Sequence, residues 1–491
     1  MEQPSSRLNG NTANLGAPSV EDQINAIGLG RFQYLLILIF GLIVVSDGMN
    51  MVVISILYTT LHDEWGLTQL QEGMLAGVVF GGFILGTMVG GFLGDVWGRR
   101  NTLLFSGVLF VASAAASSFA PDLIWLMVLR TLVGFAVGFK LPVSVSIMVE
   151  LTPAKDRGVL GIALAGIAFA VGEMFVCAAG IAIHAVDPSP DWWRSLLLAC
   201  VIPDVFGIPL AWRYVPESPH FMISQGRIDE VEELIAEVAV MNTGSTECLL
   251  QGGKVRQRVE AAPTDWSVGD LFSPALAQIT FFVTSVWVVC SFCYYGHVFS
   301  YPLALEERYH MEIESQYAAV FWAAAAEIPG LMIAMTLIDR DGVGRRKTLL
   351  FFFLAASAVA LVVPFLLDST AFLIGNMVLK GLINTPFCVM YIFAAELFPT
   401  THRATGIAFT SSASRVAGGL SPIITAWSIS QSIMLTYQLF AIAMAIGAMT
   451  CIAYDFETSK QQLSDFAGDA LSNVSKHPER TPLLRKVKDE A

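Results

Sequence analysis

The sequence predicts an all-α polytopic membrane protein in which twelve membrane-spanning helices form two pseudo-symmetric six-helix bundles. Hydrophobic residues make up 55% of the chain and charged residues only 14%, and the mean hydropathy is +0.62. Few water-soluble proteins reach this balance. Twelve apolar runs follow one another, each long enough to cross a hydrocarbon core of about 30 Å. A repeated segment divides them into two sets of six.

The repeat is carried by two short charged patterns. Residues 95–105 (DVWGRRNTLLF) return at 341–351 (DGVGRRKTLLF) with eight identities and an offset of 246. The pattern E-L-x-P-x-x-x-R begins at Glu150 and again at Glu396 with the same offset. Two matches at one offset are hard to obtain by chance, so we infer two homologous halves of about 200 residues each.

The apolar runs set the domain boundaries. They cover approximately 33–57, 72–93, 102–120, 123–148, 159–183 and 194–214, and then 275–299, 317–338, 347–366, 370–394, 405–428 and 432–453. The predicted domains are an N-terminal tail (1–32), a first bundle (33–214), a central loop (215–274), a second bundle (275–453) and a C-terminal tail (454–491). We expect disorder in the N-terminal tail and at 241–263. Residues 227–240 (RIDEVEELIAEVAV) predict an amphipathic helix under the bundle.

The charges of the connections predict the orientation. Basic residues gather in the loops of one face: Arg99, Arg100, Lys155, Arg157, Arg340, Arg345, Arg346, Lys347 and Arg403. Because short basic loops stay in the cytoplasm, both termini are predicted to be cytoplasmic. The net charge of -13 comes from the tails, the central loop and the opposite loops, which argues against a nucleic-acid partner. The cysteines show neither a disulfide framework nor metal-ligand spacing.

The two doubled loops, together with Pro-Glu-Ser-Pro at 216–219, resemble the major facilitator superfamily, in particular its sugar-porter and organic-ion-transporter branch. The strings at 294–296 (YYG), 326–330 (AEIPG) and 395–400 (AELFPT) are similar to those of synaptic-vesicle-related transporters. The resemblance covers residues 30–455. It implies a monomeric secondary transporter rather than an enzyme, with no cofactor and no metal, in which two bundles rock around a central cavity.

The doubled loops are predicted to act as gates. An aspartate and an arginine pair at the ends of adjoining helices can form ion pairs and cap helix dipoles in one conformation and release them in another. The alternative is that these basic loops only set the orientation of the protein in the membrane. That role explains the arginines but not the fixed spacing of Asp and Gly. The predicted gating residues are Asp95, Gly98, Arg99, Arg100, Glu150, Arg157, Asp341, Gly344, Arg345, Arg346, Glu396 and Arg403.

Charges inside the apolar runs mark the candidate pathway, because each costs a few kcal/mol or more unless it is paired or hydrated. Asp47 and Arg130 match the aspartate and arginine of the protonation switch in proton-coupled sugar porters. Their depths differ by only about 5 Å. We therefore expect them to pair and to couple protons, with a static salt bridge as the alternative. Lys140 departs from the family pattern and is expected to pair with Glu173 or to hold an anionic substrate.

The predicted substrate cavity combines charged residues with aromatic ones. Its candidates are Lys140, Glu173, Tyr294, Tyr295, His297, Glu327, Lys380 and Arg415. The tyrosines and the histidine are chosen because their polar tips need partners, and packing is the alternative role. The expected solute is a small organic ion or polar nutrient moved together with protons. A facilitative uniporter and a non-transporting vesicle or receptor-like protein are the alternatives.

The C-terminal tail contains Glu479-x-x-x-Leu483-Leu484, which fits an acidic dileucine sorting signal. A carboxylate would meet a basic patch on a sorting adaptor, and the two leucines would enter an apolar pocket. This pattern predicts an endosomal, lysosomal or vesicular membrane, with the plasma membrane as the alternative.

Overall fold

The structure is a computed structural model that describes residues 18–250, 268–274, 276–338, 340, 342–399 and 403–458. For Asp95 and Arg403 it describes the backbone only. Twelve membrane helices lie in this part of the chain, and we number them 1 to 12.

Helices 1 to 6 form the first half. Helix 1 is Arg31–Ile56, helix 2 is Gln69–Val96, helix 3 is Arg99–Ser117 and helix 4 is Leu123–Glu150. Helix 5 runs through Arg157–Ile162, a π-helical turn at Ala163–Ile167, and Ala168–Val186. Helix 6 consists of Trp192–Ala199 and Ile202–Tyr214.

Helices 7 to 12 repeat this arrangement in the second half. Helix 7 is Ala277–Tyr309, and helix 8 consists of Ile313–Ala325 and Glu327–Leu337. Helix 9 is Gly344–Val362, helix 10 is Ser369–Leu397, helix 11 is Arg403–Gln431 and helix 12 is Ile433–Ala453. The predicted fold class is confirmed.

Ten of these helices are long and apolar enough to cross a membrane when judged by length and composition alone. Helices 3 and 11 complete the twelve. Helix 3 begins with two arginines and an asparagine, and helix 11 is rich in serine and glycine. These polar and small residues lower the mean hydropathy of the two helices.

The N-terminal segment differs from the predicted disordered tail. Val20–Ile27 is a helix, capped by Ser19, with Val20, Ile24 and Ile27 buried along one side. The hydrogen bonds from Ser19 lower the pKa of Asp22. The apolar spacing of i, i+4 and i+7 explains the helix, since it gives one continuous face to bury.

That face packs on the predicted amphipathic helix, which the structure places at Ile228–Thr243. The side chain of Gln23 donates to the carbonyl of Leu250 at 3.0 Å and accepts from its amide at 2.9 Å. Asn242 accepts from the amide of Phe32 at 2.9 Å, at the start of helix 1. We call these contacts the N-terminal clamp. It ties the beginning of the chain to the central loop.

The two halves meet at the end of the bundle opposite the doubled loops. We call the end that carries the doubled loops the loop face and the other end the far face. Near the far face, helix 2 packs on helix 11 so closely that a Cβ at Gly77 would lie 2.7 Å from the carbonyl oxygen of Gly419. Helix 5 meets helix 8 there through His184 and Glu314, whose Nδ1 and Oε1 atoms are 2.8 Å apart. The halves are therefore closed together at the far face.

Within the first half, glycines let helices 2 and 4 cross in backbone contact. A Cβ at Gly134 would overlap the carbonyl oxygen of Val79, and one at Gly86 would overlap that of Phe135. Small residues at such crossings are the usual means of close packing between membrane helices. This contact fixes the depth of the charged side chains of helix 4.

Candidate functional site

A buried triad lies inside the first half. The ammonium of Lys140 is 2.7 Å from Asp47 Oδ1 on helix 1 and 2.6 Å from Asp204 Oδ2 on helix 6. It also lies 3.4 Å from the centre of the Phe110 ring on helix 3. All three charged side chains are buried. Two carboxylates share one ammonium, so one proton on the triad makes it neutral.

The predicted pairs Asp47 with Arg130 and Lys140 with Glu173 are both wrong in this structure. Arg130 donates instead to Asn50 Oδ1 at 3.0 Å. Asn50 lies almost one turn beyond Asp47 on helix 1, at the level of the arginine. Lys140 follows Arg130 by ten residues, about 2.8 turns, and so points about 80° away from it, toward helices 3 and 6. Lys140 therefore belongs to the interior of the first half and not to a cavity between the halves.

Asp204 is a functional candidate that the sequence reasoning missed. It is the one acidic residue within Trp192–Tyr214, an apolar helix, and that isolation was an available signal. Two prolines, at 203 and 209, flank it in the same helix.

A second charged cluster joins the two halves. Lys380 on helix 10 lies 3.0 Å from Glu173 Oε2 on helix 5 and 3.2 Å from Glu327 Oε1 on helix 8. The hydroxyl of Tyr294 on helix 7 donates to Glu173 at 2.7 Å and contacts Glu327 at 3.3 Å. Asn384 Nδ2 donates to Glu327 Oε2 at 2.6 Å. We call these five residues the interface cluster. Its single first-half member is Glu173.

Local helix geometry places the two carboxylates. Helix 8 is interrupted at Ala326, and Glu327 is the first residue of its second segment. A carboxylate is favoured at a helix N-terminus by the exposed amides and the dipole. In helix 5 the π-helical turn at Ala163–Ile167 lies shortly before Glu173. Such turns are frequent at functional sites because they re-aim the following side chains.

Arg415 on helix 11 lies beside the interface cluster. Its Nη1 donates to the hydroxyl of Tyr295 at 3.0 Å and its Nη2 to that of Tyr391 at 2.8 Å. Its guanidinium lies 4.2 Å from the ring centre of Phe83, which belongs to helix 2 of the first half. Arg415 thus also occupies the boundary between the halves.

His297 lies within the second half. Its Nε2 is 3.1 Å from Asn376 Oδ1, which also accepts from the hydroxyl of Tyr437 at 2.6 Å. Its ring stacks on Tyr301. In the part of the chain that the structure describes, no group of three His, Cys, Asp or Glu side chains could hold a metal ion.

The two doubled motifs of the first half meet each other at the loop face. Arg99, from the first motif, forms an ion pair with Glu150, from the second. Glu217 of the Pro-Glu-Ser-Pro string accepts from the backbone amides of Arg99 at 2.8 Å and of Arg100 at 3.1 Å. Ser218 donates to Glu150. The motifs are therefore parts of one loop-face network that caps helix 3.

The second half repeats this network with different residues. Arg345 binds both carboxylate oxygens of Glu396 at 3.0 Å. Glu457 accepts from the amides of Arg345 at 3.0 Å and of Arg346 at 3.3 Å, as Glu217 does in the first half. Sequence reasoning missed both capping carboxylates. Their signal was a Glu-Ser and a Glu-Thr pair that begins three or four residues after the end of helices 6 and 12.

Gly98 and Gly344 are required at these caps for two reasons. Their φ angles are +95° and +71°, a conformation that residues with a Cβ rarely adopt. A Cβ on either glycine would overlap the capping carboxylate, Glu217 or Glu457.

Several predicted residues lie outside what the structure describes. They are the side chains of Asp95 and Arg403, and residues Asp341, Glu479, Leu483 and Leu484. Arg157 is described, and it ties its loop to the N-terminal clamp through Glu21, with Nη1 2.7 Å from Oε1.

Comparisons with known proteins agree with this architecture. A family model described as sugar (and other) transporter matches residues 31–469. Synaptic vesicle 2-related protein of Xenopus laevis is 29% identical over 465 residues, which cover 91% of this chain and 82% of that protein. Organic cation/carnitine transporter 7 of Arabidopsis thaliana is 28% identical over 495 residues, covering 91% of this chain and 96% of that protein.

The fold is shared with solved structures. The partially occluded inward-open conformation of the xylose transporter XylE from E. coli matches with a TM-score of 0.69 at 16% identity, covering 88% of this chain and 100% of that chain. One conclusion follows from the twelve helices in two related halves, the doubled loop-face networks and the family match over most of the chain. The protein is a multi-pass membrane transporter that belongs to the sugar (and other) transporter family of the major facilitator superfamily.

Proposed function

We propose that the protein is a proton-coupled secondary transporter of a small organic ion or polar nutrient that works by rocking-bundle alternating access. The observation that carries this proposal is the interface cluster, because Glu173 from the first half shares Lys380 with Glu327 from the second. A charged contact that spans the moving boundary must break or rearrange when the halves rock. Its energy therefore depends on the conformational state.

Charge counting supports a role for protons. The interface cluster holds two carboxylates and one ammonium, so it is neutral only when one carboxyl carries a proton. Leaving an uncompensated charge inside a membrane protein costs several kcal/mol. A rearrangement that takes Glu173 away from Lys380 therefore favours protonation of the released carboxylate. Proton uptake and the change of conformation are thereby linked.

The triad of the first half is the second coupling element, and Asp47 is its principal residue. Asp47 shares Lys140 with Asp204, so one of these two acids is available to carry the proton. Arg130 on helix 4 contacts Asn50, which lies almost one turn along helix 1 from Asp47. The Nε and Nη2 atoms of Arg130 have no hydrogen-bond partner in the described chain. In this proposal Asp47 exchanges Lys140 for Arg130 during the cycle.

We also propose the membrane and the orientation. The basic loop face is cytoplasmic, as the positive-inside rule favours, and both termini lie on that side. The similarity to synaptic vesicle 2-related proteins and the dileucine pattern in the tail support an endosomal, lysosomal or vesicular address.

The experiment that tests the function is uptake into proteoliposomes. The purified protein would be offered a library of labelled organic cations, organic anions and neutral nutrients, with and without an inward proton gradient. We expect concentrative uptake of one class that collapses with the gradient and in Glu173→Gln. Uptake that ignores the gradient would indicate a facilitative uniporter. Absence of any uptake, with the protein correctly folded, would favour a non-transporting vesicle or receptor-like role.

A further inference from the structure

Helix 6 is broken beside the buried triad of the first half. Its first segment ends at Ala199 and its second begins at Ile202, next to Pro203, which has no backbone N–H to donate. Asp204 lies in the first turn of the second segment. In transporters with discontinuous helices, unwound backbone carbonyls and the C-terminal ends of half-helices coordinate the coupling Na⁺ or proton. The break thus gives the triad the surroundings of a cation site.

Oxygen atoms gather at this break. The carbonyl of Cys200 accepts from Ser46 Oγ at 2.8 Å and from Asn50 Nδ2 at 3.2 Å. These hydrogen bonds join the C-terminal end of the first segment to helix 1 at the chain neighbour of Asp47. Asp204 Oδ1 is buried and has no hydrogen-bond partner in the part of the chain that the structure describes. Carboxylate, carbonyl and hydroxyl oxygens are the ligands that a hard cation such as Na⁺ binds.

A cation already lies between the two carboxylates, and it is the ammonium of Lys140. Its Nζ atom is 2.7 Å from Asp47 Oδ1 and 2.6 Å from Asp204 Oδ2, and the centre of the Phe110 ring is 3.4 Å away. A metal ion bound between the same carboxylates would need the space of the ammonium and would be repelled by its charge. A proton needs no such space, because it attaches to a carboxylate oxygen. Lys140 in this position therefore admits a proton and excludes a metal ion.

We propose that Lys140 is the ion-selectivity residue of the transporter: its ammonium fills a site for a monovalent metal cation such as Na⁺ and thereby restricts the coupling ion to the proton. The inference rests on the proposed proton-coupled transport and specifies which residue selects the ion. Lys140→Ala leaves two buried carboxylates without their tethered cation, and Lys140→Ala combined with Asp204→Asn leaves one. Because an uncompensated buried charge is costly, a free cation that fits the vacated space should bind in both variants.

Sodium chloride and choline chloride are the probes. The full-length protein and its variants in detergent would be compared in the two salts at pH 7 and constant ionic strength, and thermal unfolding would be followed. Choline is too bulky to replace an ammonium held between two carboxylates. We expect Na⁺ to raise the unfolding midpoint of Lys140→Ala by at least about 2 °C relative to choline, because a cation that binds the folded state stabilises it by mass action. The wild-type protein should have the same midpoint in both salts.

A triple variant is the matched control. Lys140→Ala combined with Asp47→Asn and Asp204→Asn keeps the vacated space and the shapes of both acids but removes their charge, so Na⁺ should leave its midpoint unchanged. If Lys140→Ala alone fails to fold, Lys140→Ala with Asp204→Asn buries only one uncompensated charge and should still be stabilised by Na⁺. Equal midpoints in the two salts for these variants would overturn the proposal. An equal gain from Na⁺ in the wild type or in the triple variant would overturn it as well.

Uptake into proteoliposomes separates this inference from the proposed function. Proton-driven uptake by the wild type should be equal in Na⁺ and in choline, and wild-type uptake driven by a Na⁺ gradient would overturn the inference while transport itself is retained. Stabilisation of Lys140→Ala by Na⁺, without uptake of any solute by the wild type, keeps the cation site and removes the transport proposal. Proton-driven uptake by the wild type, together with Lys140 variants that do not respond to Na⁺, has the opposite meaning.

Discussion

At the scale of single residues, two lysines organise the buried acids that we propose to couple protons. Lys140 binds two carboxylates in the interior of the first half. Lys380 binds two carboxylates across the boundary between the halves. Removing either lysine would leave two buried acids facing each other without a cation. Removing one acid leaves a balanced pair. Carboxylate substitutions are therefore the gentler probes of mechanism at these sites.

Asp47→Asn is expected to abolish solute accumulation driven by a pH gradient while sparing exchange of labelled for unlabelled solute. The substitution keeps the shape of the side chain and removes the proton-binding group, so the conformational cycle continues without coupling. Asp63→Asn, at an exposed position in the connection after helix 1, is the control and should retain accumulation. Accumulation that survives in Asp47→Asn would disprove the assignment.

The sequence predicted which residues are charged within the membrane but not their partners. The depth of a residue in the membrane follows from counting residues along its helix. The sequence predicted similar depths for Asp47 and Arg130, and Arg130 indeed contacts Asn50, which lies almost one turn from Asp47. The direction of a side chain around its helix depends on how each helix is rotated in the bundle, which no residue count supplies. For that reason the roles of Asp204 and Asn50 became visible only in the structure.

Pairs of elements are held together by glycine contacts and by loop-face networks. The doubled motifs predicted ion pairs at the loops of one face, and the structure pairs Arg99 with Glu150 and Arg345 with Glu396. The gating role of these loops stays a prediction. The G-x-x-x-G spacing of Gly134 and Gly138 is typical of close packing between membrane helices, but it does not indicate their partners on helix 2.

Gly134→Ala is expected to lower the stability of the protein by about 1–3 kcal/mol, the usual effect of overpacking. A Cβ at this position would overlap the carbonyl oxygen of Val79 in the neighbouring helix. Gly91→Ala is the matched control, since a Cβ there meets nothing within 4 Å. Thermal unfolding in detergent measures both, and equal midpoints for the two variants would contradict the packing argument.

Arg345→Ala is expected to slow transport turnover several-fold while solute affinity stays close to wild type. The variant loses the two-pronged contact with Glu396 and a hydrogen bond to the carbonyl of Ile338. These contacts lie at the loop face, far along the helices from the interface cluster. Asp95→Ala tests the first copy of the motif in the same way. The exposed Glu237→Gln in the amphipathic helix serves as the control.

Kinetic and equilibrium measurements distinguish the outcomes for these loop variants. Turnover would be measured by uptake at saturating solute and affinity by equilibrium binding. A variant with normal turnover but a large loss of affinity would contradict the gating role.

At the scale of the whole molecule, the halves are joined at the far face and by the interface cluster in the middle. The helix 2 and 11 contact and the helix 5 and 8 contact both lie near the far face. The loop-face ion pairs described above connect residues of the same half. The sequence predicted the two-bundle architecture but carried no signal for which end is closed.

Cross-linking His184→Cys to Glu314→Cys with a short thiol-specific cross-linker is expected to stop transport, because the far face can no longer open. The native side chains touch at 2.8 Å, so the cross-linker spans the gap without forcing the helices apart. Each single cysteine variant, treated identically, is the control and should keep its activity. Undiminished transport in the cross-linked protein would show that the far face need not open.

The dileucine pattern is expected to direct the protein to an intracellular membrane. Replacing Leu483 and Leu484 by alanine removes the apolar pair that an adaptor pocket would bind, so the variant should shift to the plasma membrane. Imaging of tagged wild type and variant measures the distribution. Identical distributions would show that the tail pattern is not a working signal.

The N-terminal clamp has a consequence for biosynthesis. Gln23 and its partner Leu250 are 227 residues apart in the chain. At about 5–20 residues per second, the ribosome needs roughly 11–45 s to make that segment. During this interval the first six helices can enter the membrane, while Gln23 still lacks its partner. The first half is thus completed only when the central loop has emerged, shortly before the second half begins to be made.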